Sequence, residues 1–472
     1  MCSFLLANFL ITNATLFIAN SLQKSRGPDG TTHVQVNGLD IVHNLLSMTG
    51  AVVRQPFRDV QAGLAAVFNG EIYNAGQLLE RLSNVRAELR SDGHCLLPVY
   101  RARGASALFR AADGEWAAAI VDWPKRRLIL SRDCFGTKPL HFAQSEDGRF
   151  AVASYASALV GLSFKREEVR EVAPNSIEEF SFHVGLDAAG TLRVQNVQHL
   201  GVTRPVCEFD LRQHKLSTVD WQNAFLAAVA KRARNQRVFL ALSSGYDSGA
   251  LMLALDILQV AAVDVYTIKA LENADVIRKR ILVAPGPPYS RDTIVTMSSR
   301  SFIEEKEWLY GHAEPKAYLT PDLRGSGVLR DGAAVALSRI CREAQAMTAS
   351  MVVTIASDRP RPPVLLSGAG ADETLSDYGF NGSALADHST FKGIWPKNLS
   401  SVYPWPSLFL GTQRDYLAKE EHVCGAHGLE ARYPFLDRRL VQEFLWLAPE
   451  LKGSVYKRPI ADFFRSSRGT AA

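Results

Sequence analysis

The chain has 472 residues, 47% hydrophobic and 21% charged, which is ordinary for a soluble globular protein and leaves room for two or three domains. Its net charge of +5 is mild, and no Lys/Arg tract or basic region interleaved with aromatics marks a nucleic-acid surface. Six cysteines at 2, 95, 134, 207, 341 and 424 lack CxxC spacing, so neither a zinc site nor a disulfide framework is suggested, and a reducing, cytoplasmic compartment is the simplest expectation.

The opening "MCSFLLANFLITNATLFIAN" has no Lys or Arg before its apolar run, and Asn8 and Asn13 interrupt it. The stretch therefore reads as neither a secretory signal nor a membrane span, and a buried strand from Ser3 to Ile11 is expected. Cys2 is ambiguous taken alone, since a lone cysteine is commonly a small buried hydrophobe. Its position changes the chemistry. Removal of Met1 would give Cys2 a free α-amine with a pKa near ~8, able to act as base for its own thiol.

Up to about 185 the chain reads as strands and turns. "GLAAVFNGEIY", "EWAAAIVDWPKRRLILSRD" and "FAVASYASAL" carry β-rich runs broken by Asn-Gly, Trp-Pro and Asp-Gly turn signals, with helical patterns at "AGQLLERLSNV" and "GHCLLPVYRARGASAL". A boundary falls near 190–215, where "DLRQHKLSTVDWQNAF" starts a helical segment. The pattern then changes. "RVFLAL" reads as a strand, "SSGYDS" as a loop, "GALMLALDILQV" as a helix and "VDVYTIKAL" as a strand, the grammar of a parallel sheet. "PPVLLSG" adds a strand ending in a second glycine loop, and "RLVQEFLWLAPEL" is an amphipathic helix.

Two ordered motif sets carry chemistry. The first is Cys2, "RGPDG" at 26–30, "FNGEIYN" at 68–74, "RSDG" at 90–93 and "SRDCFGTKPL" at 131–140. The second is "SSGYDS" at 243–248, "LLSGAGADE" at 365–373 and "HGLEARYPFLD" at 427–437. A Ser/Gly-rich turn between strand and helix offers backbone N–H groups and positive potential to an anion, and lacks the Lys of a Walker loop.

Together these sets resemble the glutamine-dependent asparagine synthetases. The resemblance implies an α/β chain of two domains. Residues 1–185 would form an αββα N-terminal-nucleophile (Ntn) glutaminase of the class II amidotransferases. Residues 210–472 would form a parallel-sheet synthetase domain of the adenine nucleotide α-hydrolase (PP-loop) type. Cys2 would attack the glutamine amide, with the Asn69 side chain and Gly70 N–H as oxyanion hole. Arg26, Asn69, Glu71 and Asp92 would hold glutamine, the two carboxylates taking its ammonium. ATP would lie over Leu242, Ser243, Ser244, Gly245, Asp247, Ser248, Ile268, Ser367 and Gly368. Asp247 and Asp372 would serve Mg²⁺, and Lys457 would stand near the phosphates. Aspartate would become an acyl-adenylate and ammonia would displace AMP.

The chain departs from the family pattern at four places. Leu45 stands where the family has the arginine that clamps the substrate carboxylate, a task for which Arg54 is a candidate. Ser244 replaces a glycine and Ala369 a glutamate, and a family segment after "YKRPIADFF" is missing. Two alternatives stay open beside asparagine synthesis: an amide ligase of the same family acting on a specialised carboxylate, and a non-catalytic paralogue. The expected partners are small molecules, with no nucleic acid and no membrane, and a homodimer stays open.

Overall fold

The structure, a computed structural model, describes every residue except 50, 83–88, 188–189, 270–271, 284–288, 320–326, 328–330, 353–360 and 469–472. The chain divides into two compact units. The first comprises 1–208 with the short segments 312–314 and 425–428; the second comprises the remainder.

Among the described residues, twelve strands build the first unit. They are β1 (Ser3–Ala7), β2 (Gly30–Val36), β3 (Leu39–Leu45), β4 (Phe57–Asp59), β5 (Leu64–Ile72) and β6 (Gly114–Asp122). β7 (Arg127–Arg132), β8 (His141–Gln144), β9 (Phe150–Ala153), β10 (Val169–Glu171), β11 (Ser176–Leu186) and β12 (Leu192–Arg204) complete the set. They form two six-stranded antiparallel sheets, ordered β10-β8-β9-β1-β3-β2 and β12-β11-β7-β6-β5-β4.

The strands alternate between two cores, which is why their sequences read as continuous apolar runs. In β1, Phe4 and Leu6 enter the core between the sheets, with Val67, Ala119, Leu130 and Phe180. Leu5 and Ala7 face the other way, against Ala19 of α1 (Asn13–Ala19) and Leu159 of α4 (Ala156–Gly161). On the second sheet, Trp116 of β6 stacks on Phe109 of α3 (Leu96–Ala111), ring centroids 6.0 Å apart. The layers therefore run helix, sheet, sheet, helix.

Several expectations are corrected. β1 stops at Ala7, not Ile11; the next residue, the buried Asn8, uses its side-chain amide to donate to Val194 O (2.9 Å) and accept from Phe150 N (2.8 Å), where a continuing strand would use its backbone. Asn69-Gly70 is no turn and lies inside β5. The helix at 75–85 covers Ala75–Glu80, and the end of that stretch lies outside the described residues. Cys134 and Cys207 are joined as a disulfide, Cα atoms 5.6 Å apart, although spacing suggested no framework. The fold brings together the turn after β7 and the segment after β12, residues 73 apart in sequence. β12 itself lies past 185 and pairs with β11.

The second unit is a five-stranded parallel sheet. Its strands are β13 (Val238–Ala241), β14 (Val263–Ile268), β15 (Tyr289–Val295), β16 (Val364–Leu366) and, after the short hairpin β17–β18 (Gly379–Phe380, Ser383–Ala384), β19 (Glu430–Arg432). The order is β15-β14-β13-β16-β19. The chain runs outward from β13 on one side, then returns to its other side. The loops after β13 and β16 thus open at a topological switch point, the usual place for a ligand in such sheets. α5 (Val219–Ala233) packs Phe225 on Phe435 at 4.9 Å, and α6 (Tyr246–Ile257) follows β13 directly. The helix expected from 210 begins only at Val219. No helix among the described residues is long and apolar enough to cross a membrane.

"HGLEARYPFLD" ends on a buried ionic cluster. Asp437 accepts from Arg232 Nη1 at 3.0 Å, pairs with Lys231, and caps the helix Arg438–Leu445 through Arg439 N at 3.0 Å. Burial opposes its ionisation, but Arg232 and Lys231 outweigh burial and hold the carboxyl down at about 2. Its stabilising contribution is therefore complete above the unfolded value near ~3.9 and lost as pH falls through about 2. Asp437→Ala strands two cations and removes the cap; urea denaturation at pH 7 should show a loss of about 3–5 kcal/mol. That loss should shrink between pH 4 and pH 2, and a pH-independent difference would contradict this account.

Candidate active site

In the first unit, Cys2 sits at the start of β1. Leu46 N–H donates to its Sγ at 3.4 Å, and the thiol lies 3.6 Å from Leu46 O. Arg26 is wholly buried behind it. Its Nε donates to Cys2 O (3.1 Å), Nη1 to the Tyr155 hydroxyl (3.0 Å), and Nη2 reaches Met1 Sδ at 3.1 Å. Arg26 therefore secures the backbone of Cys2. Met1 is also buried, with its sulfur 3.9 Å from Lys138 Nζ. Lys138 pairs with Glu115 at 3.5 Å, both side chains almost wholly buried.

The loop that presents Lys138 is held from within. The Asp133 carboxylate accepts from Trp116 N and Phe135 N at 3.0 Å each, and from the Thr137 hydroxyl at 2.6 Å. This accounts structurally for "SRDCFGTKPL".

β5 carries Asn69, Gly70 and Glu71 opposite Ala117, Trp116 and Glu115 of β6. Asn69 is fully buried, and neither its amide nitrogen nor its oxygen finds a hydrogen-bond partner among the described residues. An orphaned buried amide is costly unless something else uses it. Gly70 has φ +143°, and a Cβ there would come within 1.9 Å of Glu115 O. Glu71 accepts from Thr49 Oγ1 at 3.2 Å. Asp92 accepts from Ile72 N at 2.8 Å, which ties it to the end of the strand bearing Glu71. Leu45 is buried at the end of β3, and Arg54 is exposed. Thr49, Tyr155, Lys138 and Glu115 escaped sequence reading; Lys138 lay within a quoted motif, but Tyr155 carried no signal.

In the second unit, the loop after β13 folds on its own hydroxyls. Ser243 N donates to Ser248 Oγ at 3.0 Å, and Gly245 N donates to Ser243 Oγ at 3.1 Å. Leu242 is buried and Ile268, ending β14, is half-buried. The loop after β16 lies against it, since a Cβ at Gly368 would come within 3.0 Å of Asp247 Cβ. Ala369 N donates to Ser367 Oγ at 3.0 Å.

Lys457 joins the two loops. Its Nζ lies 2.8 Å from Asp247 Oδ1 and 2.6 Å from Asp372 Oδ1. Asp372 also accepts from the Tyr456 hydroxyl at 2.7 Å. Burial opposes the charge on Lys457, but Asp247 and Asp372 prevail and raise its pKa. Burial and the neighbouring Asp372 push Asp247 up to about 6 against the pull of Lys457. Glu373, buried beside Asp372, is pushed up to about 7 and accepts from the Tyr378 hydroxyl at 2.6 Å.

Residues 1–209 match a family described as glutamine amidotransferase domain, and residues 408–458 match one described as asparagine synthase. An amidotransferase domain ahead of an asparagine-synthase segment defines the class. The glutamine-hydrolyzing asparagine synthetases of Cricetulus griseus and Homo sapiens are each 26% identical, over 475 and 473 residues, covering 94% of this chain and 76% of theirs. That of Gallus gallus is 25% identical over 455 residues, covering 90% and 73%. The chain is thus similar over nearly its whole length to glutamine-hydrolyzing asparagine synthetases, and its first 209 residues match the glutamine amidotransferase domain. Among solved structures, glutamine phosphoribosylpyrophosphate amidotransferase from B. subtilis, complexed with ADP and GMP, is similar at 16% identity and a TM-score of 0.34, over 51% of this chain and 60% of that one, less than two thirds of its length.

The close approach at Gly70 yields a direct check. Gly70→Ala must displace the Glu115 carbonyl or move β5, so the melting of the full chain should show a loss of at least about 3 kcal/mol. Unchanged stability would mean that β5 and β6 do not approach this closely.

Proposed function

We propose that this chain makes asparagine: glutamine hydrolysed at Cys2 supplies ammonia to a β-aspartyl-adenylate formed from ATP and aspartate. The family is one of ATP-dependent carbon–nitrogen ligases with glutamine as amide donor, and the chain is an enzyme of that class. The observation that carries the glutamine half is the buried Asn69 amide without a partner, on the strand that also bears Glu71.

In this reading Met1 is removed, and the Cys2 thiolate attacks the glutamine amide carbon. The Asn69 side chain and Gly70 N–H receive the developing oxyanion. Glu71 and Asp92 hold the substrate ammonium. Arg26, tied to the Cys2 carbonyl, acts as a positioning residue rather than a glutamine ligand. Ammonia leaves, and water releases glutamate from the thioester.

In the second unit, the nucleotide would lie over Leu242, Ser243, Ser244, Gly245, Ser248, Ile268, Ser367 and Gly368, with its phosphates toward the loop after β13. The substrate carboxylate attacks the α-phosphorus, pyrophosphate leaves, and ammonia then displaces AMP. Asp247 and Asp372 suit a hard cation, since one cationic group, Lys457 Nζ, already stands between them. Mg²⁺ held there by two carboxylates would be completed by phosphates. Bound there, Mg²⁺ would neutralise phosphate charge. Lys457 would stabilise the departing pyrophosphate.

A second reading, with another carboxylate in place of aspartate, is favoured by Ala369, which leaves only a methyl group in the second loop. Wild type and Cys2→Ala are to be compared with glutamine or ammonium, following asparagine, glutamate and pyrophosphate. Cys2→Ala should lose glutamine-dependent synthesis and keep ammonium-dependent synthesis. Asn69→Ala should slow glutamine hydrolysis by roughly 10²–10³-fold. Pyrophosphate release with another acid but not with aspartate would select the second reading, and no release with any acid would refute both.

A further inference from the structure

The first glycine loop already holds an anion supplied by the protein. Glu272 lies between β14 and α7 (Ala274–Val283). Its Oε2 accepts from Ser244 N and from Ser244 Oγ, both at 2.5 Å. These donors stand at the turn that leads into α6. A backbone N–H at such a turn is the kind of group a phosphate oxygen takes, with the helix dipole favouring negative charge. A carboxylate on the same donors competes for the place of a phosphate.

A cation accompanies that carboxylate. Arg280, on α7, donates through Nη1 to the Ser243 carbonyl. Its guanidinium lies close over α6, so that a Cβ at Gly249 would come within 2.6 Å of Arg280 Cζ. Glu272 and Asp247 both act on it electrostatically. One short segment therefore brings an anion and a cation to the same loop, by contacts to residues 243, 244 and 249.

We propose that Glu272 is a built-in stand-in for the nucleotide's phosphate, closing the loop after β13 until ATP displaces it, with Arg280 left in place as a phosphate-binding residue. The proposal rests on the nucleotide reading given under Proposed function. Only molecules whose Ser244 donors are open accept nucleotide, so apparent affinity falls by the fraction that is open. With the carboxylate seated in about nine molecules of ten, the penalty is about tenfold.

The test uses the full chain in magnesium buffer, with calorimetric titration by ATP, by inorganic pyrophosphate and by adenosine. Glu272→Ala should bind ATP and pyrophosphate about tenfold more tightly than wild type, with adenosine binding unchanged. Glu272→Gln, which keeps the shape but not the charge, should tighten both by a smaller factor and guards against loss of fold in the alanine variant. Arg280→Ala should weaken both phosphate ligands and leave adenosine alone. If wild type binds ATP and pyrophosphate but neither Glu272 variant binds them more tightly, the stand-in is refuted and the nucleotide reading survives. If folded wild type binds neither ligand, the nucleotide reading fails and the stand-in falls with it.

Discussion

One ammonium, Lys457 Nζ, lies between two carboxylates that reach it from different strand–loop units. Asp247 comes from the first turn of α6 and Asp372 from the first turn of the short helix Ala371–Leu375 that follows β16. Neither carboxylate would tolerate the other at this range in a part-buried setting without a cation, and a buried lysine would shed its proton without them. Lys457, lying between the two carboxylates, holds the two segments that carry them in register. Burial makes this arrangement costly unless all partners remain. The loops in turn define where a nucleotide can lie, so the second unit's chemistry depends on this contact.

The first unit solves a different problem. Its chain start must be rigid if a residue at position 2 is to act. β1 lies inside a sheet buried on both faces, and Arg26 fixes the Cys2 carbonyl from behind. The opposing strand β5 carries Asn69 with its amide unspent, while Gly70 lets the backbone approach Glu115. Stability has been forgone at Asn69, as expected of a group held ready for a ligand.

Much of this was legible beforehand. The strands of the first unit followed from β-rich runs, its two-sheet architecture only from the family resemblance, and the parallel sheet from strand, helix, strand. Cys2, Asn69, Glu71 and Asp92 stood in motifs whose order carries the family resemblance. What was missed has physical causes. Asn-Gly reads as a turn from local propensity, yet the strands on either side enforce extension. The first strand stops before Asn8, whose side-chain amide takes backbone partners far along the chain. The Cys134–Cys207 pair joins positions whose separation of 73 residues says nothing about nearness. Arg26, which the resemblance assigns to glutamine, is buried with its Nε on the Cys2 carbonyl, a contact that no short motif announces.

The sequence by itself determined which chemistry-bearing residues exist and which family the chain resembles, because motifs are local. It could not decide which charges meet. That Lys457 stands between Asp247 and Asp372, that Asp437 pairs with Arg232 across 205 residues, and that Glu272 sits on Ser244 depend on strand order and loop path. Those contacts arise only when the parallel sheet closes, because electrostatic partners are chosen by distance in space and by burial, neither of which is written in any short stretch of chain.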